Sequence, residues 1–211
     1  MTDVTKILAA AEVYGIISSA FKYPEDDLME YLRESVGELA EAMELLSYEP
    51  ETIEKGMAFA NQGINANADE IRRSFNEFYT GRKQASLDES EYDTAIFYRH
   101  QRIADIAGFY GAFGFEISED AHMRPDFIGT ELEFMCVLLL KRAYAIEQGW
   151  DEQVEICLEA ERKFFSEHME WWIPQLCETI RGASSCDFYR SLSNFLESFI
   201  HNESSRYLQP A

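Results

Sequence analysis

The chain has 211 residues, 46% of them hydrophobic and 14% aromatic, and carries 39 acidic against 18 basic side chains for a net charge of −21. That length and apolar content allow one substantial core and exclude a disordered acidic tail. The acidic excess argues against nucleic acid as a partner, since phosphate binding needs a basic footprint, and glycine and proline are too few for a barrel or sandwich.

The opening Met1-Thr2-Asp3-Val4-Thr5-Lys6 lacks the basic region of a secretory leader, and Glu12 interrupts the apolar stretch that follows, so no signal peptide is expected. Val4, Ile7, Leu8, Ala11, Tyr14, Ile17 and Phe21 form a first helical stripe. Pro24 breaks it, and Glu25, Asp26 and Asp27 suit the positive end of a new helix. That second helix carries Leu28, Leu32, Val36, Leu39, Met43 and Leu46 and ends before Pro50. Between Glu25 and Glu54 there are eleven acids and one base, Arg33, which reads as a solvated face or as attraction for a cationic partner. A short third helix is expected around Ile53 and Met57. Asn65, Asn67 and Asp69 mark the next start, with Ile71, Phe75, Phe78 and Tyr79 as its buried face.

Residues 81–90 read as a polar loop, the longest in the chain. A helix over about 94–113 follows, stopped by Gly114, and a connection containing Ser118 and Asp120 leads to Arg124-Pro125-Asp126-Phe127. The next helix is apolar nearly all round (Leu132, Phe134, Met135, Cys136, Leu138, Leu139, Leu140), which predicts a central position. Its strongly apolar run, Phe134 to Leu140, is far short of the ~20 residues that cross a bilayer. Beyond Gly149 a long amphipathic helix carries Val154, Cys157, Leu158, Phe164, Phe165, His168 and Trp172; Pro174 kinks or restarts it. The last stripe is Phe188, Leu192, Phe195, Leu196 and Phe199. With no strand alternation and no repeat, the pattern predicts an all-α bundle of about seven to ten helices, one domain over residues 1–211.

Chemistry-bearing motifs are scarce. Phosphate-loop, dinucleotide and nucleophile-elbow signatures are missing, and none of His100, His122, His168 and His201 follows a glutamate at the E-x-x-H spacing of a di-iron bundle. Cys136, Cys157, Cys177 and Cys186 form no C-x-x-C pair and read as free thiols packed as small hydrophobes. Neither a metal nor another cofactor is expected, nor catalysis. Two clusters stand out instead. Arg124-Pro125-Asp126-Phe127 enters the central helix with Glu131 and Glu133 just inside it, and is either a helix start with Thr130-x-x-Glu133 in capping-box form or a recognition point. Phe75-Asn76-Glu77-Phe78-Tyr79 puts three aromatics on one turn, which packs a core or meets a ligand.

At these two places the sequence resembles the TorD/DmsD family of redox-enzyme maturation chaperones. Residues 103–114, Arg124-Pro125-Asp126-Phe127 and Glu131-Leu132-Glu133-Phe134-Met135 follow the family's central pattern in order and spacing, and Phe75, Phe78 and Tyr79 match its aromatic motif. The likeness is best over about residues 70–142. It departs at Phe127, where the family pattern has histidine, and at Met123, often acidic in the family. The resemblance implies a cytoplasmic, non-catalytic chaperone, monomeric or a domain-swapped dimer. Its partners would be the twin-arginine signal peptide and the immature catalytic subunit of a molybdenum or tungsten oxidoreductase, held until the cofactor is inserted and export can proceed. It also implies a client site at Arg124, Pro125, Asp126, Phe127, Glu131, Phe75, Phe78 and Tyr79, with Asp126 partly exposed to pair with arginine. An acidic, aromatic-rich bundle has the means to bind such a peptide, whose arginines precede an apolar stretch. A helical scaffold for another partner helix, or a nucleotide-hydrolysing helical enzyme, are the alternatives.

Overall fold

A computed structural model describes residues 4–65, 67–79, 85–118 and 123–208. Among them run ten α-helices: α1 (Val4–Ala20), α2 (Asp26–Glu34), α3 (Val36–Leu45), α4 (Pro50–Asn65), α5 (Ala68–Tyr79), α6 (Ile96–Phe113), α7 (Ile128–Gln148), α8 (Asp151–His168), α9 (Ile173–Ala183) and α10 (Asp187–Leu208), with a 3-10 helix at Glu89–Tyr92. The all-α expectation holds. The strand-like geometry among the described residues is one isolated antiparallel bridge, Asp88 with Phe127.

The centre is a pair of helices. α7 packs between α1 and α8, while α10 packs on α4 and α9. Central α7 was legible in the sequence; the equal burial of α1 was not, because Ala9 and Ala10 are buried off the apolar stripe. Small residues let the two backbones approach. Gly15 faces Cys136, and the Ser18 hydroxyl donates to the Gly129 carbonyl at 2.8 Å.

Two boundaries differ from the sequence reading. The single helix expected before Pro50 is two, α2 and α3, parted at Ser35. Its hydroxyl donates back to the Tyr31 carbonyl at 2.9 Å, and Val36-Gly37 just beyond are poor helix formers, so the ladder has a weak point there. The short helix around Ile53 is instead the sixteen-residue α4, which begins on Pro50. Other punctuation works as expected. Gly114 and Gly149 close α6 and α7 in left-handed conformation (φ 63° and 69°), and Pro174 restarts the chain in the first turn of α9.

The segment read as a polar loop behaves otherwise over 85–92. Ala85, Leu87, Glu89 and Ser90 are buried there, and residues 81–84 lie outside the described region. The Glu89 N–H donates to the Asp126 carbonyl (2.8 Å) and the Ile128 N–H to the Leu87 carbonyl (2.9 Å), tying the segment to the entry of α7.

Candidate functional site

The bridge between residues 85–92 and the start of α7 brings the motif residues together. α7 begins after Phe127, whose backbone caps it, so Pro125 and Asp126 precede the helix instead of forming its first turn. Tyr110 on α6 donates its hydroxyl to the Pro125 carbonyl at 2.8 Å, fixing the approach.

Asp126 is fully buried, contrary to the partial exposure expected of it. The reason is its neighbour. Arg124 folds back over the carboxylate with Nε on Oδ1 and Nη2 on Oδ2, each at 3.0 Å, while the Ser90 N–H donates to Oδ2 at 3.1 Å. Such a fork is the strong geometry for guanidinium and carboxylate. Arg124 also donates to the Ser90 hydroxyl at 2.7 Å and pairs with Asp88 (3.3 Å) and Glu91 (3.8 Å), keeping 43% of its side chain in solvent. Arg124 is thus the accessible charge of the motif and Asp126 its hidden counter-ion. Asp88 is pushed up to about 6, by burial first and by the Asp126 charge second, with Arg124 opposing.

Phe127 is 2% exposed and fills the core, its ring so close to Gly129 that a Cβ there would sit 2.6 Å from it. Phe75 and Phe78 are buried too, against Tyr23 and Tyr189 respectively. Tyr79 ends α5, and its side chain lies outside the described region. Phe78, Arg124 and Phe127 line one cleft of about 270 Å³ with Asp88 and Met123, so the two motifs do meet in space.

Behind them lies a buried acidic knot that the sequence did not reveal. Glu89, Asp126 and Glu131 are fully buried and His168 almost so. Glu89 is satisfied: Trp171 Nε1 (2.7 Å) and Arg102 (3.2 Å) donate to Oε1, and His168 Nδ1 lies 3.2 Å from Oε2. Glu131 is not, with neither carboxyl oxygen in a well-formed hydrogen bond. Burial, then the charges of Glu89 and Asp126, push its pKa well above the carboxylate range, which favours its protonated form.

A second surface feature was misread in the sequence. The C-terminal half of α7 is not buried all round: Leu138, Leu139, Ala143 and Ala145 face the core, while Leu140 and Tyr144 are 46% and 54% exposed. They join Phe113 of α6, Trp150 and Ile156 (both 48% exposed) to line an open, mainly apolar groove of about 560 Å³ among α6, α7 and α8. Tyr144 and Trp150 meet edge to face at 5.6 Å. The first turn of α8 beside it, Asp151 and Glu152, is acidic and exposed. The signal was the surplus of apolar residues around α7, which fits an exposed binding face as well as deep burial.

Residues 25–178 match the nitrate reductase delta subunit family, in agreement with the TorD-like resemblance of the motifs. Over 83 residues the chain is 31% identical to the selenate reductase assembly chaperone protein of Thauera selenatis, covering 39% of this chain and 42% of that one. Over 98 residues it is 26% identical to the perchlorate reductase assembly chaperone protein of Dechloromonas aromatica (strain RCB), covering 46% and 43%. The matched part thus spans less than half the length of either relative. Among the described residues no helix is long and apolar enough to cross a membrane.

Proposed function

This chain belongs to the nitrate reductase delta subunit family of TorD-like chaperones, and from that premise we propose that it assists assembly of a molybdenum or tungsten oxidoreductase. In this reading it works in the cytoplasm as a holder, not a catalyst. It grips the twin-arginine signal peptide, or the equivalent segment of the immature catalytic subunit, until cofactor insertion is complete and export can follow.

The observation that carries the reading is the apolar groove among α6, α7 and α8. It leaves Leu140, Tyr144, Trp150 and Ile156 half exposed, a surface that costs solubility unless something apolar covers it. The occupant is a segment with an apolar stretch and a cationic end, because the exposed Asp151 and Glu152 directly follow the groove residue Trp150 and outnumber its basic lining residue Lys141, on a chain of charge −21. The motif residues take a supporting part. Arg124 and Pro125 reach the surface; Asp126, Phe127, Glu131, Phe75 and Phe78 hold in place the α7 entry from which the groove's wall extends.

Calorimetric titration with a twin-arginine signal peptide tests this. Leu140→Glu and Ile156→Glu alter exposed positions and leave folding intact, and each should weaken binding by about tenfold, roughly the loss of one buried apolar side chain at an interface. Unchanged affinity in both would remove the groove as the client site. Equal affinity for the peptide and its Lys-Lys variant would favour a less selective helix-binding scaffold.

A further inference from the structure

A polar cleft of about 390 Å³ is lined by Tyr98, Gln101, Arg102, Asp105, Glu167 and His168. His168 is only 1% exposed, yet its ring is placed like a ligand. With Nδ1 3.2 Å from the Glu89 carboxylate, the tautomer that donates there leaves the Nε2 lone pair pointing into the cleft. Nε2 lies 3.3 Å from Asp105 Oδ2 but forms no hydrogen bond of acceptable geometry. A lone pair set against a carboxylate oxygen is repulsive. Something positive belongs between them.

The ligand atoms of Asp105, Glu167 and His168 all lie within 4.8 Å of one another. Bonds of about 2.1 Å to a tetrahedral cation set its ligand atoms roughly 3.4 Å apart, close to the separation His168 and Asp105 already have. Glu167 is exposed and, among the described residues, paired with Lys163 at 3.9 Å, so a side-chain rotation would close the remaining gap. Arg102, the nearest other cation, is engaged by Asp93, by Glu89 and by the Glu167 carbonyl. Asp93 and Glu89 already answer its charge, so Asp105 and Glu167 leave the cleft net negative.

We infer that Asp105, Glu167 and His168 form a binding site for a divalent transition-metal cation of the Zn²⁺ class, with Glu89 behind His168 fixing its tautomer. The site departs from the expectation of no metal because its ligands come from two helices, α6 and the end of α8, which no local spacing reveals. It would fasten α6 to α8. The inference stands apart from the chaperone reading, since it uses no groove residue.

Full-length protein freed of metal by a chelator is titrated with Zn²⁺ by calorimetry and with Co²⁺ by visible absorption. A single saturable ion per chain is expected, with Co²⁺ ligand-field bands. Asp105→Asn and Glu167→Gln, both at exposed positions, should each weaken it by about tenfold or more with helical content unchanged. Glu54→Gln, an exposed acid elsewhere, should change nothing. Failure to saturate, or affinity indifferent to Asp105→Asn and Glu167→Gln, overturns the site. So does an NMR spectrum in which His168 is an imidazolium at neutral pH and Zn²⁺ leaves its resonances unmoved, for then a proton alone bridges Glu89 and Asp105.

Discussion

Replacing Asp126 by asparagine removes one charge from a sealed pair, and its cost can be worked from the contacts. The carboxylate accepts three bonds: two from Arg124 and one from the Ser90 N–H. Asparagine keeps one acceptor and must turn its NH2 toward either Arg124 or Ser90, a donor against a donor. Hydrogen bonds to charged groups contribute roughly 1.5–3 kcal/mol each. Arg124 retains Asp88, Glu91 and the Ser90 hydroxyl and is 43% solvated, so about one such bond is lost in net terms. Asp126→Asn should therefore cost about 2–3 kcal/mol, or ~4–12 °C in Tm for a chain of this size. Arg124→Gln should cost more, about 3–5 kcal/mol, because it strands a fully buried carboxylate.

The double variant should fall short of the sum by at least ~1 kcal/mol, the signature of a direct pair. Urea unfolding followed by circular dichroism at pH 7.5 gives all three values. A loss below about 0.5 kcal/mol for Asp126→Asn, or strict additivity, would refute the pairing and return Asp126 to the role of an accessible client contact.

Stability should also depend on pH in an unusual direction. Glu131 is raised well above the carboxylate range, Glu161 is pushed up to about 7 by burial with Arg142 opposing, and Asp88 to about 6. In each the folded state holds its proton more tightly than the unfolded chain, so the stabilisation is full below the unfolded pKa and is lost as pH rises through the folded one. Urea midpoints should thus fall between pH 5 and 8, by about 4 kcal/mol or more in total, and Glu131→Gln, which mimics the neutral acid, should flatten the fall. A midpoint that climbs over that interval in both proteins refutes it. Phe127→His places an imidazole in an apolar socket and should lose about 1–3 kcal/mol with peptide affinity unchanged at temperatures where it stays folded; a gain in affinity would put the ring at the client surface. Peptide affinity should drop as salt rises from 0.05 to 0.5 M, and replacing both peptide arginines by glutamine should cost about 1–3 kcal/mol, as calorimetry at each salt concentration would register.

Periodicity reported on burial where a helix has one wet face, and there the sequence was legible. Phe188, Leu192, Phe195, Leu196 and Phe199 are all buried, and Gly114 and Gly149 stop their helices as their types dictate. It was ambiguous where a helix is apolar all round. For α7 that pattern means a central strip over Ile128–Leu139 and an exposed wall at Leu140 and Tyr144, and no one-dimensional period separates the two. The motif at Arg124–Phe127 was visible as a cluster of residue types, but the side on which Asp126 points depends on Arg124 folding over it. Glu89 was hidden altogether. Polar composition marked residues 81–90 as a loop, and nothing local distinguishes a glutamate that will be buried from the many that will not.

Glu89 is nevertheless where the parts of the molecule converge. Its backbone N–H holds the Asp126 carbonyl and so the entry of α7. Its side chain takes Arg102 from α6, His168 from the end of α8 and Trp171 from the turn that follows, and its charge helps raise the pKa of Glu131 on α7. The groove walls are those same three helices, α6, α7 and α8. A buried carboxylate is costly unless its partners are fixed, so the helices that supply the partners are held at set distances from one another. That makes the acidic knot a tie among α6, the end of α8 and the entry of α7, shared by the Arg124 motif and the His168 cleft.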